Sequence, residues 1–319
     1  MQRHFLQSKL WADFQACLGN EIFHIEKQNF EILAILKKTT FGNYIYCPYG
    51  PNLTSEDSLG DAVKELKNLM NKTNSLFARI EPTLKIGKEK MQACGLLKSY
   101  DLNPDATWIL DLEQDEKVLL SGIEKERTRY WRGRDRRGMK IRVSKDAKDI
   151  DILYDFMKAN ADANDYVGET KDYLIKELEA PFAMLYVLEL EVKCDDGTTK
   201  LTPLAASLMF DDDDTRFYGH SANNPKPEYR KLRANGVLLV QAILDAKNEG
   251  KKKFDFWGIT LSEDKNHPWA GFTKFKKSFS GYPVQYSGTW DLPSSKMKYQ
   301  LYTTLRKVNR TIRRLRYHK

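Results

Sequence analysis

The predicted elements follow the same order in both halves of the chain: a helix, antiparallel strands, a helix, a strand, a helix and a strand. Apolar residues at helical spacing mark the helices, and short alternating runs between polar or glycine turns mark the strands. This order predicts a mixed α/β fold that arose by duplication of one unit. The clearest helices cover 8–18, 59–70, 149–161, 171–178 and 235–248, and the clearest strands cover 22–25, 30–36, 44–47, 75–80, 107–112, 139–143, 182–192, 201–210, 215–220 and 284–290.

The stretch from Lys253 to Gly281 carries the most unusual chemistry of the chain. It predicts a short strand that ends at Gly258, a polar loop, and a helix from about Pro268. This arrangement suits an anionic ligand held near the end of a strand. The alternative is that its phenylalanines are core residues and its lysines form a solvated face. The helix carries Phe272, Phe275 and Phe279 at helical spacing, with Lys274, Lys276 and Lys277 between them.

The size and charge of the chain set the limits of its organisation. Its 319 residues exceed a typical single domain, and 41% hydrophobic residues are enough for folded cores. We predict a first domain over 1–146 that also includes a C-terminal helix over 294–319, and a second domain over 147–293. The net charge of +8 favours nucleic acid, anionic lipid or phosphorylated small molecules as partners.

We predict a cytoplasmic protein without a metal site, and we expect it to be a monomer. The four cysteines are far apart, and the N-terminal residues have no apolar signal core. The longest apolar runs, such as Phe182–Leu190, are too short to cross a bilayer. The acidic run Asp211–Asp214 is predicted to be a solvated turn rather than a metal site.

Two basic helices are predicted. A long helix over 116–137 interleaves arginines with Tyr130 and Trp131, which suits a phosphate backbone or an RNA end, although a solvated face is an equal alternative. The helix after Pro293 is predicted to pack on the first domain through an apolar stripe and to expose a basic face. That face predicts transient contact with the inner surface of an anionic membrane. The stripe consists of Leu301, Leu305, Val308 and Ile312, and the basic residues are Arg306, Lys307, Arg310, Arg313, Arg314 and Arg316.

Candidate catalytic groups are few. Asp111 and Asp255 are each flanked by apolar residues in a predicted strand, so either is a base with a raised pKa or a strand-end group satisfied by the backbone. No serine or cysteine lies in a nucleophile-elbow context, so covalent catalysis is not indicated. The run from Arg233 to Leu238 matches the start of an acetyltransferase CoA motif, but Leu238 occupies a position where a small residue is expected.

Four stretches of the chain resemble the FemABX family of peptidoglycan-bridge aminoacyltransferases. The resemblance covers nearly the full length, and the order and spacing of the stretches make it specific. One departure is Tyr49, which stands where many relatives have arginine. The stretches are 5–20 (FLQSKLWADFQACLGN), 46–51 (YCPYGP), 103–112 (NPDATWILDL) with the basic helix after it, and 269–281 (WAGFTKFKKSFSG).

The resemblance implies two tandem GNAT-like acyltransferase domains, with the C-terminal helix returning to the first. No coiled-coil heptads occur, so the long helical arm of larger members is not expected. The implied reaction moves an amino acid from an aminoacyl-tRNA to an amine on the stem peptide of a peptidoglycan precursor, either nucleotide-linked or lipid-linked. No cofactor is implied.

The resemblance also implies site residues. Phe275 and Lys276 correspond to the pair at the acyl-transfer site, with Lys276 stabilising the oxyanion or the tRNA terminus, and Asp111 is compared with a proposed base. Lys37 or Lys38, together with Arg230, would bind the diphosphate of the precursor. The tRNA-binding candidates are Arg127, Arg129, Arg132, Arg134, Arg136 and Arg137.

Two other functions stay open from the sequence. The first keeps the fold but takes an acyl thioester, as a GNAT-type N-acyltransferase would, and Leu238 disfavours it. The second is a non-enzymatic protein that binds RNA or a membrane surface through the two basic helices.

Overall fold

A computed structural model describes the backbone of residues 3–164 and 167–317 and the side chains of residues 3–163 and 167–308. The chain forms two compact units, the first from 1–106 with 285–319 and the second from 107–284. Each unit contains one mixed seven-stranded sheet with helices packed on it.

The elements are numbered in chain order. The strands are β1 Glu21–Glu26, β2 Phe30–Lys37, β3 Asn43–Cys47, β4 Asn52–Leu53, β5 Ser75–Ile80, β6 Leu97–Lys98, β7 Ala106–Asp111, β8 Met139–Ser144, β9 Ala183–Lys193, β10 Thr199–Asp211, β11 Thr215–Asn223, β12 Lys253–Gly258, β13 Tyr282–Gln285 and β14 Trp290–Pro293. The helices are α1 Lys9–Cys17, α2 Leu59–Lys72, α3 Lys88–Ala93, α4 Glu116–Gly122, α5 Lys125–Arg132, α6 Ile150–Asn164, α7 Lys171–Glu179, α8 Ala234–Asn248, α9 Ala270–Lys277 and α10 Lys296–Tyr317.

The sheet of the first unit has the order β1-β2-β3-β5-β14-β6, with β4 paired to β2. Helix α2 covers it because Leu59, Val63, Leu66 and Met70 fall on one face at helical spacing, and all four are buried. These side chains join strand residues in a single apolar core.

The sheet of the second unit has the order β13-β7-β12-β11-β10-β9-β8. Its β11 and β12 are parallel, and their paired register covers only Thr215–Phe217 and Lys253–Asp255. Both strands continue beyond the paired residues, to Asn223 and Gly258, so they diverge toward their C-terminal ends. Such a divergence opens the sheet at an edge where ligands commonly bind.

Two boundaries differ from the sequence-based expectation. The predicted division at 146/147 falls inside the second unit, because β7 pairs with β12 and the chain therefore enters the second sheet at residue 107. The strand predicted over 284–290 is two strands in different sheets. Strand β13 lies beside β7, and β14 pairs with β5 of the first unit.

The long basic helix predicted over 116–137 is also interrupted. Helix α4 ends at Gly122, Ile123 is extended with ψ of 141°, and α5 begins at Lys125. Burial of Ile123 in the core anchors this break. A 3-10 turn over Asp135–Arg137 follows, so the arginines lie on α5, on the turn at Arg134 and on this 3-10 turn, and none lies on α4.

Helix α10 packs on the first unit through a different face from the one predicted. Tyr299 donates its hydroxyl to Asp291 at 2.6 Å, and the rings of Tyr299 and Tyr302 lie 5.4 and 5.1 Å from that of Phe77. The predicted packing residues Leu301, Leu305 and Val308 are exposed instead. Ile312 and the arginines from Arg310 onward lie outside the described side chains. The helix therefore returns to the first unit, as expected, by way of tyrosines rather than leucines.

Within the described residues, no helix combines the length and the apolar character needed to cross a bilayer.

Candidate active site

A cleft of about 1170 Å³ opens in the second unit at the C-terminal end of β11. One wall is the N-terminus of α8, from Ala234 to Gly236, and another is a face of α9. A helix N-terminus presents unpaired N–H groups and a partial positive charge, so this wall favours anions. The cleft is lined there by Gly271, Lys274, Phe275 and Lys277 of α9 and by Ser278, which follows the helix.

The cleft is strongly basic. Two of its five cations are matched by acids: Glu124 lies 3.5 Å from Arg127, and Glu126 lies 3.6 Å from Arg233. Among the described residues, the other three have no acidic partner within salt-bridge distance, which leaves the cleft with uncompensated positive charge. These three are Arg230, Lys274 and Lys277, and all are exposed.

Arg127 of α5 is held in place by aromatic rings. Its guanidinium lies 4.5 Å from the ring centre of Phe275 and 4.8 Å from that of Phe279, and it donates to the Ser278 hydroxyl. A Cβ at Gly236 would lie 2.9 Å from its Nη1, so the lack of a side chain at this position lets the guanidinium approach the start of α8. Arg127 thus adds a fixed cation to the helix N-terminus.

The position of Leu238 differs from the expectation. Its side chain is fully buried in the core and is not part of the cleft wall. The group that lies over the α8 N-terminus is the Arg127 guanidinium. The Leu238 side chain therefore does not obstruct a pyrophosphate at this helix.

Lys276 faces β12 rather than the cleft. Its ammonium group donates to the carbonyl oxygen of Gly258 at 2.6 Å, at the point where β11 and β12 have diverged. Below it, Asp255 is buried and accepts a hydrogen bond from the Trp257 N–H at 2.7 Å and another from the Thr107 hydroxyl. Trp257 itself has a φ of 62°, an uncommon conformation for a bulky residue.

Burial shifts the pKa values of both groups toward neutrality. Desolvation lowers the pKa of Lys276 to about 8, and the negative charge of Asp255 opposes this shift. Desolvation also raises the pKa of Asp255 to about 6, against the hydrogen bonds from Thr107 and Trp257. A buried carboxyl and amine with pKa values near 7 are characteristic of sites that handle protons.

Asp111 lies apart from this pair. It is exposed at the end of β7, where its Oδ1 accepts the N–H of Glu113 at 2.9 Å. The β7–β12 register places it opposite Lys253, whereas Thr107 is opposite Gly258. Four residues of strand, roughly 13 Å, therefore separate Asp111 from the position of Lys276. Asp111 is therefore a strand-end carboxyl that the backbone satisfies, and Asp255 is the carboxyl beside Lys276.

The remaining tRNA-binding candidates do not line the cleft. Arg134 stacks on Trp131 at 4.9 Å, and Arg137 stacks on Tyr130 at 4.7 Å. Trp131 also donates to Gln241 at 2.9 Å, so this ring anchors α5 on α8. A second basic surface results, and it consists of Arg129, Arg132, Arg134, Arg136 and Arg137.

The two predicted phosphate-binding lysines lie in the first unit. Lys38 is exposed and lies 3.6 Å from Glu21. Lys37, the last residue of β2, is half-buried, and desolvation lowers its pKa. Of the two, Lys37 is the one without an acidic partner among the described residues.

Three cleft cations lie outside the site predicted from the sequence. In that prediction Lys274 and Lys277 belong to the lysine-rich helix, and Arg233 belongs to the CoA-like motif. For Lys274 the signal is helical spacing, because 271, 274 and 275 share one face of α9 with 278 just after it.

Comparison with known proteins identifies the family. Residues 1–95 and 175–307, more than two thirds of the chain, match the FemAB family. The chain belongs to the FemAB family. The similarity to curated members is low: the aminoacyltransferase FemA of Staphylococcus aureus is 26% identical over 107 residues, which cover 33% of this chain and 25% of FemA.

A solved structure shares the fold of this protein over most of the chain. A crystal structure of FemX superposes with a TM-score of 0.76 at 16% identity and covers 93% of this chain and 94% of FemX. A tandem GNAT protein from the clavulanic acid biosynthesis pathway gives a TM-score of 0.50 at 11% identity, with 84% and 79% covered. The predicted fold of two GNAT-like domains is confirmed.

Proposed function

We propose that this FemAB protein transfers an amino acid from an aminoacyl-tRNA to an amine on the stem peptide of a peptidoglycan precursor. The observation that carries the proposal is the family match over 1–95 and 175–307. The name of the curated relative, an aminoacyltransferase, supports the reaction class.

The charge of the cleft fits both substrates. A tRNA end and a precursor diphosphate each bring phosphate groups, which the unpaired Arg230, Lys274 and Lys277 can neutralise. The fixed guanidinium of Arg127 and the α8 N-terminus would bind one phosphate directly. Lys37 of the first unit is proposed as a further diphosphate contact, and the basic surface Arg129–Arg137 as a contact with the body of the tRNA.

The reaction requires positioning rather than a covalent intermediate. The neutral acceptor amine attacks the ester carbonyl, the new C–N bond forms, and the C–O bond to the tRNA ribose breaks. One proton leaves the amine, and the ribose oxygen gains one. An enzyme can accelerate this step by aligning the two reactants and by stabilising the oxyanion that forms on the carbonyl.

We assign the stabilisation of the oxyanion to Lys276. Its side chain is half-buried, and its ammonium group is fixed by a hydrogen bond to the Gly258 carbonyl. A partly desolvated ammonium stabilises a developing negative charge more strongly than a solvated one. Phe275 lines the cleft beside it and stacks on Arg127, so it would position the acyl end. Asp255 keeps Lys276 charged from below and is assigned as a positioning residue.

The pH dependence of transfer tests these assignments. Because Lys276 acts as an ammonium and its pKa is lowered to about 8, kcat/KM is expected to fall as the pH rises through about 8. Asp255→Asn removes the negative charge that favours the ammonium, so the same fall is expected at a lower pH. Initial rates across pH 6 to 10, corrected for spontaneous ester hydrolysis, measure both profiles. If Asp255→Asn does not shift the pH at which kcat/KM falls, Asp255 does not favour the charged form of Lys276.

The cleft cations give a matched pair of variants. Arg230 lines the cleft, whereas its neighbour Lys231 is exposed and does not. Arg230→Ala is expected to raise the Kd of the precursor about tenfold or more, since one charge-assisted contact to phosphate contributes about 1.5–3 kcal/mol. Lys231→Ala is expected to leave the Kd within twofold. If calorimetric titrations show that both variants raise the Kd equally, the precursor responds to the net charge of the protein and not to the position of Arg230.

A second candidate function keeps the cleft but changes the donor. With Leu238 buried, the α8 N-terminus and Arg127 form a site that a CoA pyrophosphate could also occupy. The second candidate is therefore an N-acyltransferase that uses a thioester, and a thioester donor is tested in the same assays.

The acceptor assignment is tested by mass spectrometry. Incubation with charged tRNA and a purified precursor is expected to give a product heavier by one amino-acid residue. A precursor whose free amine has been acetylated beforehand is expected to give no such product. Addition to the blocked precursor would place the transfer elsewhere and overturn the acceptor assignment.

A further inference from the structure

Helix α10 exposes a continuous apolar stripe. The exposed fractions of its side chains are 77% for Met297, 62% for Leu301, 40% for Leu305 and 52% for Val308. Their spacing of four, four and three residues places them on one side of the helix, over roughly 16 Å of its length. A contiguous apolar surface of this kind marks a binding face.

The stripe lies away from the face that holds the helix on the first unit. Tyr299, Tyr302 and Arg306 make the docking contacts with Asp291, Phe77 and Tyr100. At 100° per residue, the centre of the stripe is roughly 130° around the helix from this docking face. The helix is therefore anchored by one face while the other stays exposed.

The charges of the helix all have the same sign. Residues 296–319 contain nine lysines and arginines and no acid. Among the described side chains, Lys298 borders the stripe on one side, and Lys296 and Lys307 lie on the other. An apolar stripe flanked by cations is the pattern of a helix that lies in the interface of an anionic bilayer.

We propose that the exposed stripe of α10, Met297, Leu301, Leu305 and Val308, binds the surface of an anionic lipid bilayer. The apolar side chains enter the boundary between head groups and acyl chains, and the flanking lysines contact lipid phosphates. This inference goes beyond the proposed transfer reaction and does not depend on it.

RNA and a second copy of this chain would each fit the stripe less well than a bilayer. RNA would match the cations, but it offers no apolar surface to four exposed aliphatic side chains. A second copy of this chain would bring nine like charges against nine, and interfaces are depleted of such charges at their cores. An anionic bilayer satisfies the apolar stripe and the cations together.

Vesicle flotation with the full-length protein tests the proposal. Wild type is expected to float with vesicles of phosphatidylcholine and phosphatidylglycerol in equal parts, to stay behind with phosphatidylcholine alone, and to dissociate as salt is added. Leu301→Glu is expected to weaken this partitioning about tenfold or more, because it places a charge in the apolar boundary. Gln300→Glu makes the same change of charge one residue away, off the stripe, and is expected to weaken it less than threefold.

Each other outcome overturns the proposal. Wild type that does not float with anionic vesicles shows that the stripe is not a lipid-binding face. Equal losses in Leu301→Glu and Gln300→Glu show attraction by charge alone. Sedimentation equilibrium of wild type and the two variants tests whether the stripe binds a second copy of this chain. If wild type is a dimer and only Leu301→Glu dissociates it, the stripe is a dimer interface. Unchanged thermal unfolding of Leu301→Glu confirms that the variant is folded.

Discussion

Lys276→Ala is expected to lower kcat for aminoacyl transfer by about 10²–10³-fold, the loss typical when one oxyanion-stabilising donor is removed. Thermal stability is expected to change little. The variant loses a single hydrogen bond to Gly258, but it also removes an ammonium group whose burial is unfavourable, as its lowered pKa shows. Single-turnover rates with a preformed aminoacyl-tRNA, together with a thermal unfolding curve, measure the two effects separately.

Two further variants make this result specific. Lys265→Ala removes an exposed lysine from the loop before α9 and is expected to keep the wild-type rate. Lys276→Arg keeps the charge but has a different shape, and it is expected to recover part of the rate. If Lys276→Ala transfers at the wild-type rate, Lys276 does not stabilise the oxyanion and the site assignment is wrong.

Asp291→Ala is expected to destabilise the first unit by about 3–5 kcal/mol, the usual cost of leaving a buried charge without its partner. Arg79 donates to both carboxylate oxygens of Asp291 at 2.7 Å, and both side chains are buried. Tyr299 of α10 donates to the same carboxylate, so this substitution also loosens the C-terminal helix. Urea unfolding followed by tyrosine and tryptophan fluorescence measures the change.

The control for this prediction is the exposed ion pair of Lys90 and Asp57 in the same unit. Asp57→Ala is expected to leave the unfolding midpoint nearly unchanged, because exposed pairs are screened by solvent. The double variant Arg79→Met/Asp291→Leu is expected to regain stability relative to Asp291→Ala, because it leaves no unpaired charge. A double variant less stable than Asp291→Ala would contradict this account.

The elements that could be predicted from the sequence are those fixed by local periodicity. Helix α2 and strand β5 match their predicted spans closely because their apolar spacing has one interpretation. The stretch 284–290 was predicted wrongly because strand propensity does not specify a partner, and this stretch is divided between two sheets. In α10, leucines were expected to form the buried face, but tyrosines form it because their hydroxyl and rings match the buried Arg79–Asp291 pair.

Only part of the candidate site could be predicted from the sequence, namely the residues that lie in recognisable motifs. Phe275, Arg127 and Arg230, which the resemblance implies as site residues with separate roles, line one cleft. The choice between Asp111 and Asp255 could not be made from sequence, since both are acids among apolar residues in a strand. Only the β7–β12 register shows that Asp255 is buried beside Lys276, whereas Asp111 is exposed at a turn.

The most direct test of the proposed function compares donors. Purified protein is incubated with a peptidoglycan precursor and either a pool of tRNAs charged with radiolabelled amino acids or radiolabelled acetyl-CoA. Label is expected on the precursor from the charged tRNAs only, and the labelled amino acid then identifies the specificity. Label from acetyl-CoA instead would assign the cleft to a thioester donor, and no label from either donor would contradict the proposed transfer.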